Sequence, residues 1–97
     1  LITITFVPYR RYRVEGHADY DEQGKDIVCS AISAMSQQTL TGLLEYSKTN
    51  YEISDGLLDV EYKANSCTDV LMYAFETYAK GLAERYPEHI EVLYIYE

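Results

Sequence analysis

A two-residue apolar alternation that gives way to a helical period, twice over, narrows the folds open to this chain more than any other feature. Ile2, Ile4 and Phe6 alternate with Thr3, Thr5 and Val7, and β-branched residues on both sides mark a strand. Pro8-Tyr9-Arg10 breaks the pattern. Tyr12, Val14 and Gly16 then alternate with Arg11, Arg13 and Glu15, which predicts a second strand with one wet face and a hairpin between the two. Ala18 to Lys25 is polar, carries no apolar period and reads as a loop. Beyond it, Val28, Ile32, Met35, Thr39 and Leu43 recur at steps of three and four. That spacing predicts an amphipathic helix capped by Asp26 and ending near Glu45 to Lys48.

The plan then repeats. Tyr51-Glu52-Ile53 reads as a strand and Asp55-Gly56 as a tight turn. Leu58, Val60 and Tyr62 alternate with Asp59, Glu61 and Lys63 as the returning arm. Ser66, with Asp69 three residues on, is the expected cap of a second helix. Leu71, Phe75, Tyr78 and Leu82 mark its buried face, and Pro87 stops it. Ile90 to Tyr96 is apolar on both sides and predicts an interior strand covered on both faces. The order is ββαββαβ. The fold class is α+β: a five-stranded, mostly antiparallel sheet layered with two helices, expected to sandwich the sheet between them.

Totals exclude several function classes. The chain of 97 residues is one domain, 1–97, with a core small enough to benefit from pairing with a second copy. Sixteen acids against eight lysines and arginines leave a net charge of −8. That argues against nucleic acid as the direct partner, since phosphate binding needs a basic surface. It suits either basic partners or plain solubility. No apolar run reaches the roughly 20 residues of a membrane span, and no secretory leader is visible. Two cysteines cannot form a disulfide framework, so reduced thiols in a cytoplasmic setting are the expectation, with a Cys29–Cys67 bridge the alternative. Eleven tyrosines and no tryptophan hint at an extended contact surface.

The chemistry gathers in Gly16 to Ser33, GHADYDEQGKDIVCSAIS. With Asp26 as the cap, Cys29 falls at the third helical position, where free N–H groups and the positive end of the helix dipole favour thiolate over thiol. A thiolate is a nucleophile. His17 could hold it ionised and later protonate a leaving amine, and the same N–H groups could hold the oxyanion of an attacked carbonyl. Each residue also has a plainer reading. Cys29 could be a small buried apolar residue, His17 a surface polar group, and Asp26 only a cap rather than an acid orienting His17. Ser33, one turn after Cys29, could touch a bound peptide or merely fill space. Cys67 and His89 read as structural or surface residues. Two Cys and two His show no zinc spacing, so neither a metal nor another cofactor is expected.

These residues resemble a known family. Gly16-His17-Ala18, then Gly24-Lys25, then Asp26-Ile27-Val28-Cys29-Ser30-Ala31-Ile32-Ser33 is similar to the GHA and G-x-DIVC-x-A-x-S motifs of the ribosomal-processing cysteine protease family, Prp. Ser30 departs from the alanine of that pattern and removes no catalytic group. The resemblance implies a cytoplasmic, homodimeric cysteine endopeptidase. Its substrate would be a precursor of large-subunit ribosomal protein twenty-seven, from which it removes an N-terminal extension. It also implies His17 and Cys29 as the catalytic pair, Asp26 in support and Ser33 as a substrate contact.

Two physical expectations go with it. Asp19, Asp21 and Glu22, with Glu15 just upstream, form an acidic rim suited to a basic substrate after the scissile bond. The Ala18 to Lys25 loop could cover the thiol until substrate displaces it. The rival readings are a non-catalytic ribosome-assembly or scaffolding factor, and a thiol enzyme of another kind such as an acyltransferase.

Overall fold

A computed structural model describes residues 1–22 and 25–97. Its elements follow the expected order: β1 (Ile2–Val7), β2 (Arg11–Gly16), α1 (Ile27–Tyr46), β3 (Thr49–Ser54), β4 (Leu57–Tyr62), α2 (Ser66–Arg85) and β5 (Ile90–Tyr94). One sheet holds all five strands in the order β3-β4-β2-β1-β5. Every neighbouring pair is antiparallel except β1 with β5, which is parallel.

The hairpins form where turn chemistry placed them. Asp55 and Gly56 alone join β3 to β4, and Gly56 takes φ +69°, a left-handed conformation that glycine adopts without a Cβ penalty. Asp26 caps α1 as expected: its Oδ1 accepts from the N–H of Val28 at 3.0 Å and of Cys29 at 2.9 Å. The cap of α2 differs from the expectation. Asn65, not Ser66, precedes the helix, and Thr68 rather than Asp69 completes the box. Asn65 Oδ1 accepts from Thr68 N at 2.9 Å while Thr68 Oγ1 accepts from Asn65 N at 2.8 Å. Both Asn and Ser cap well. The Asn65 amide decides the frame, because it also donates to the Tyr46 carbonyl at 2.9 Å and so ties the start of α2 to the end of α1.

The sandwich expectation is corrected. Tyr12 of β2 touches both helices from one side: its hydroxyl donates to Ser36 O of α1 at 2.8 Å, and its ring meets Phe75 of α2 edge-on at 5.0 Å. Both helices therefore cover the same sheet face. Ile4, Tyr12, Ile32, Leu43, Val60 and Ala79 are fully closed from solvent between the layers. Burying each large member stabilises the fold by about 1.5–3 kcal/mol.

The other face is open and ionic. Arg11 grips Asp59 with two hydrogen bonds, one of 2.8 Å from Nε, and this holds the Asp59 carboxyl below its ordinary range. β5 is an edge strand, not an interior one. Ile90, Val92 and Tyr94 pair in register with Ile2, Ile4 and Phe6 and join the covered face, while Leu93 stays 42% exposed on the open one. Apolar residues on both sides of β5 thus do not mean cover on both sides.

Candidate active site

The site is built where β2 ends, α1 begins and the Asp55-Gly56 turn folds back. Gly16 leaves β2 at φ +96° and donates its N–H to Gly56 O at 2.9 Å. That bond draws the turn beneath His17. A Cβ on Gly56 would stand 3.1 Å from His17 Nε2, so the imidazole rests on bare backbone that only glycine leaves free. His17 itself is exposed, and the next residue, Ala18, is buried. The Ala18 N–H donates to Cys29 Sγ at 3.2 Å. Cys29 is half-buried at the third position of α1, as its cap predicts, and carries a free thiol, as does exposed Cys67.

Asp26 holds more than the helix. While Oδ1 caps α1, Oδ2 accepts from Tyr20 N at 2.9 Å and Asp21 N at 3.3 Å. Burial pushes this carboxyl up, but its four backbone donors outweigh that and hold it below the ordinary carboxylate range. None of these hydrogen bonds goes to His17, so Asp26 organises backbone rather than orienting the ring. Because Val28 and Cys29 donate to Asp26, their N–H groups are not the free oxyanion donors expected. Among the described residues, the backbone donor on the sulfur is that of Ala18.

Two cavities flank the thiol, and His17 and Cys29 border both. One, of about 210 Å³, is lined by Val14, Ile32 and Leu58 together with Ser33. Ser33 is exposed, and its Oγ accepts from Gln37 Nε2 at 2.9 Å, which leaves its own hydrogen for another acceptor. The other cavity, of about 420 Å³, is lined by Asp19, Asp21, Asp26 and Asp55 as well as Ser30. The acidic rim is thus present at Asp19 and Asp21, with Asp19 also 3.5 Å from the Leu1 amino group; Glu22 pairs with Lys25 at 3.7 Å and Glu15 with Arg13 at 3.0 Å.

Sequence reasoning missed Asp55, read only as a turn residue; the turn's return to the end of β2 makes it part of the site. It also missed Gln37, whose signal was its place one turn after Ser33. His89, expected as a structural or surface residue, hydrogen-bonds Ala18 O through its ring at 2.9 Å. The loop expectation for Ala18 to Lys25, and motif residue Gly24, fall partly on residues 23–24, outside the described residues. Among the described residues, no group of three or more His, Cys, Asp or Glu is arranged to hold a metal ion.

A half-buried thiol at a capped helix start thus faces the same spaces as an imidazole. The family model described as "Cysteine protease Prp" matches residues 1–91. The chain belongs to this family of cysteine peptidases. As a Prp-family member it shares its fold with solved structures. The ribosomal processing protease Prp from S. aureus, in complex with a covalently linked product peptide, superposes with a TM-score of 0.85 at 21% identity, covering 97% of each chain. The same S. aureus protease with a substrate peptide gives 0.79 at 20% identity, again over 97% of each chain. SMU.848 from Streptococcus mutans gives 0.79 at 24% identity, covering 100% of this chain and 96% of its own. No curated protein sequence matches the chain.

Proposed function

We propose that this Prp-family peptidase removes the N-terminal extension of large-subunit ribosomal protein twenty-seven through a Cys29–His17 pair. The observation that carries the reading is the thiol of Cys29 on two cavities that His17 also borders, with the Ala18 N–H on its sulfur. In this reaction His17 takes the thiol proton and Cys29 Sγ attacks the scissile carbonyl carbon. The tetrahedral intermediate collapses, the C–N bond breaks and the amine leaves with the proton from His17. The extension remains on Cys29 as a thioester. Water, deprotonated by His17, then hydrolyses it and restores the thiol.

The two cavities suit the two sides of such a bond. The smaller, mostly apolar one suits an apolar side chain, with the Ser33 hydroxyl as a backbone contact. The acidic one suits the basic residues of a ribosomal protein, and its carboxylates take over the role expected of the acidic rim. Asp26 supports the pair by fixing the start of α1 and the backbone of residues 20–21. The S. aureus protease bound to a substrate peptide and to a covalently linked product peptide supports peptide as the ligand and a covalent course. A cytoplasmic location and a homodimer go with this reading. Val70, Tyr73 and Tyr78, each more than half exposed on α2, offer apolar surface for a second copy.

The test is to incubate the extended ribosomal protein with wild type, Cys29→Ala and His17→Ala, and to read the new N-terminus by mass spectrometry. Cleavage by wild type and loss in both folded variants is expected. Cleavage by Cys29→Ala would overturn the assignment.

A further inference from the structure

His89 lies 71 residues beyond Ala18 and just before β5, yet its Nδ1 is 2.9 Å from the Ala18 carbonyl. A carbonyl only accepts, so Nδ1 carries the hydrogen and donates; the neutral Nδ1–H tautomer and the imidazolium both do this. The backbone that carries the ring is itself fixed. His89 N donates to Tyr86 O at 2.9 Å, and His89 O accepts from Ile2 N at 2.8 Å, the start of β1. The ring meets Tyr20 edge-on at 5.3 Å, and Tyr20 meets Tyr86 in the same way at 5.5 Å. On its other side Ala18 is held by its N–H, which donates to Cys29 Sγ at 3.2 Å.

We propose that His89 is a positioning residue for the thiol: it grips Ala18 by the carbonyl so that the Ala18 N–H stays aimed at Cys29 Sγ. This rests on the assignment of Cys29 as the nucleophile. An N–H donor on sulfur favours the anion over the neutral thiol, because a hydrogen bond to a charged acceptor is stronger than one to a neutral one. Residues just beyond Ala18 are held separately, through Tyr20 N and Asp21 N on Asp26 Oδ2. Loss of the His89 bond therefore frees Ala18 while Asp26 keeps the following backbone in place. The consequence is a smaller thiolate population at neutral pH, not a collapse of the site.

Three variants separate the donor from the ring. His89→Asn places an amide N–H close to the position of Nδ1 and discards the ring. His89→Phe keeps a ring against Tyr20 and discards the donor, and His89→Ala discards both. Each is made in a Cys67→Ser background, because exposed Cys67 would also react, and each is checked for folding by circular dichroism. The readout is the rate of Cys29 alkylation by iodoacetamide at pH 7, divided by its plateau at high pH. The plateau reports access; the ratio reports thiolate.

The ratio is expected to fall about threefold to tenfold in His89→Ala and His89→Phe, with plateaus unchanged, and to stay within about twofold in His89→Asn. Peptide cleavage should follow the same order. An unmoved ratio in the folded Ala and Phe variants overturns the proposal, as does an Asn variant as impaired as Ala. If wild type itself neither cleaves peptide nor alkylates readily at Cys29, the nucleophile assignment fails and this proposal with it.

Discussion

Gly56→Ala tests whether the imidazole is placed by bare backbone. The substitution has two separable costs. Gly56 sits at φ +69°, where an L-residue costs about 1–2 kcal/mol. For a domain of this size, about 1 kcal/mol lowers the melting temperature by roughly 4–8 °C. The new Cβ would also stand 3.1 Å from His17 Nε2, so the ring must give by a few tenths of an ångström. A misplacement of about 1 Å can cost about a hundredfold in rate, so this smaller shift should lower kcat/KM by about threefold to tenfold.

Gly81→Ala supplies the counterweight. Gly81 lies exposed in α2, with nothing within 4 Å of where a Cβ would stand, and alanine there should add about 0.5–1 kcal/mol. The assay is thermal melting by circular dichroism beside kcat/KM on a peptide spanning the extension junction, at 25 °C. Gly81→Ala alone should melt higher and cleave normally. The double variant should regain much of the lost melting temperature yet keep the reduced kcat/KM. If activity returns together with stability, the loss was global and the argument about His17 is refuted.

Three further outcomes follow from the same geometry. Asp26→Asn should cost about 1–2 kcal/mol at neutral pH, since the amide oxygen can still cap α1 but the amide nitrogen cannot accept from Tyr20 N and Asp21 N. The folded Asp26 carboxyl lies below its unfolded value of about 3.9, so its contribution is present above that pH and is lost as pH falls through the folded value. Urea midpoints of the variant and wild type should therefore differ at pH 7 and draw together as pH falls below about 3.9. Combined Asp19→Asn, Asp21→Asn and Asp55→Asn substitutions, the last keeping good turn chemistry, should lower kcat/KM on a basic peptide about tenfold in dilute buffer and far less in about 0.5 M salt; equal losses at both would count against the acidic cavity. Asn65→Ala should destabilise by about 1 kcal/mol without altering cleavage, while Ser66→Ala should leave the urea midpoint nearly unchanged.

What could be read from the chain was what lies close along it. Asp26 three residues before Cys29 is a local relation, so the cap and the thiol's place in the first turn were both legible. The Asp55-Gly56 turn and the switch from two-residue to helical periodicity were legible for the same reason. Relations across the chain were not. Nothing local tells whether two helices share a face: that depends on Tyr12 reaching Ser36 and Phe75 at once. Leu93 and Ile95 made β5 look like an interior strand, although pairing with β1 on one side leaves it at the edge. His89 and Ala18 meet only because β5 aligns with β1. The cap of α2 slipped by one residue because Asn65 and Ser66 are both good caps, and the bond from the Asn65 amide to the Tyr46 carbonyl, which decides between them, spans 19 residues.

The proposed reaction requires that Cys29 sulfur carry the extension as a thioester during turnover. Rapid acid quench of wild type with the extended ribosomal protein, followed by intact mass spectrometry and peptide mapping, reads this directly. A transient mass increase equal to the acyl extension is expected, located on Cys29 and absent from Cys29→Ala. Cleavage that proceeds in Cys29→Ala, or an adduct found on Cys67 instead, would contradict it.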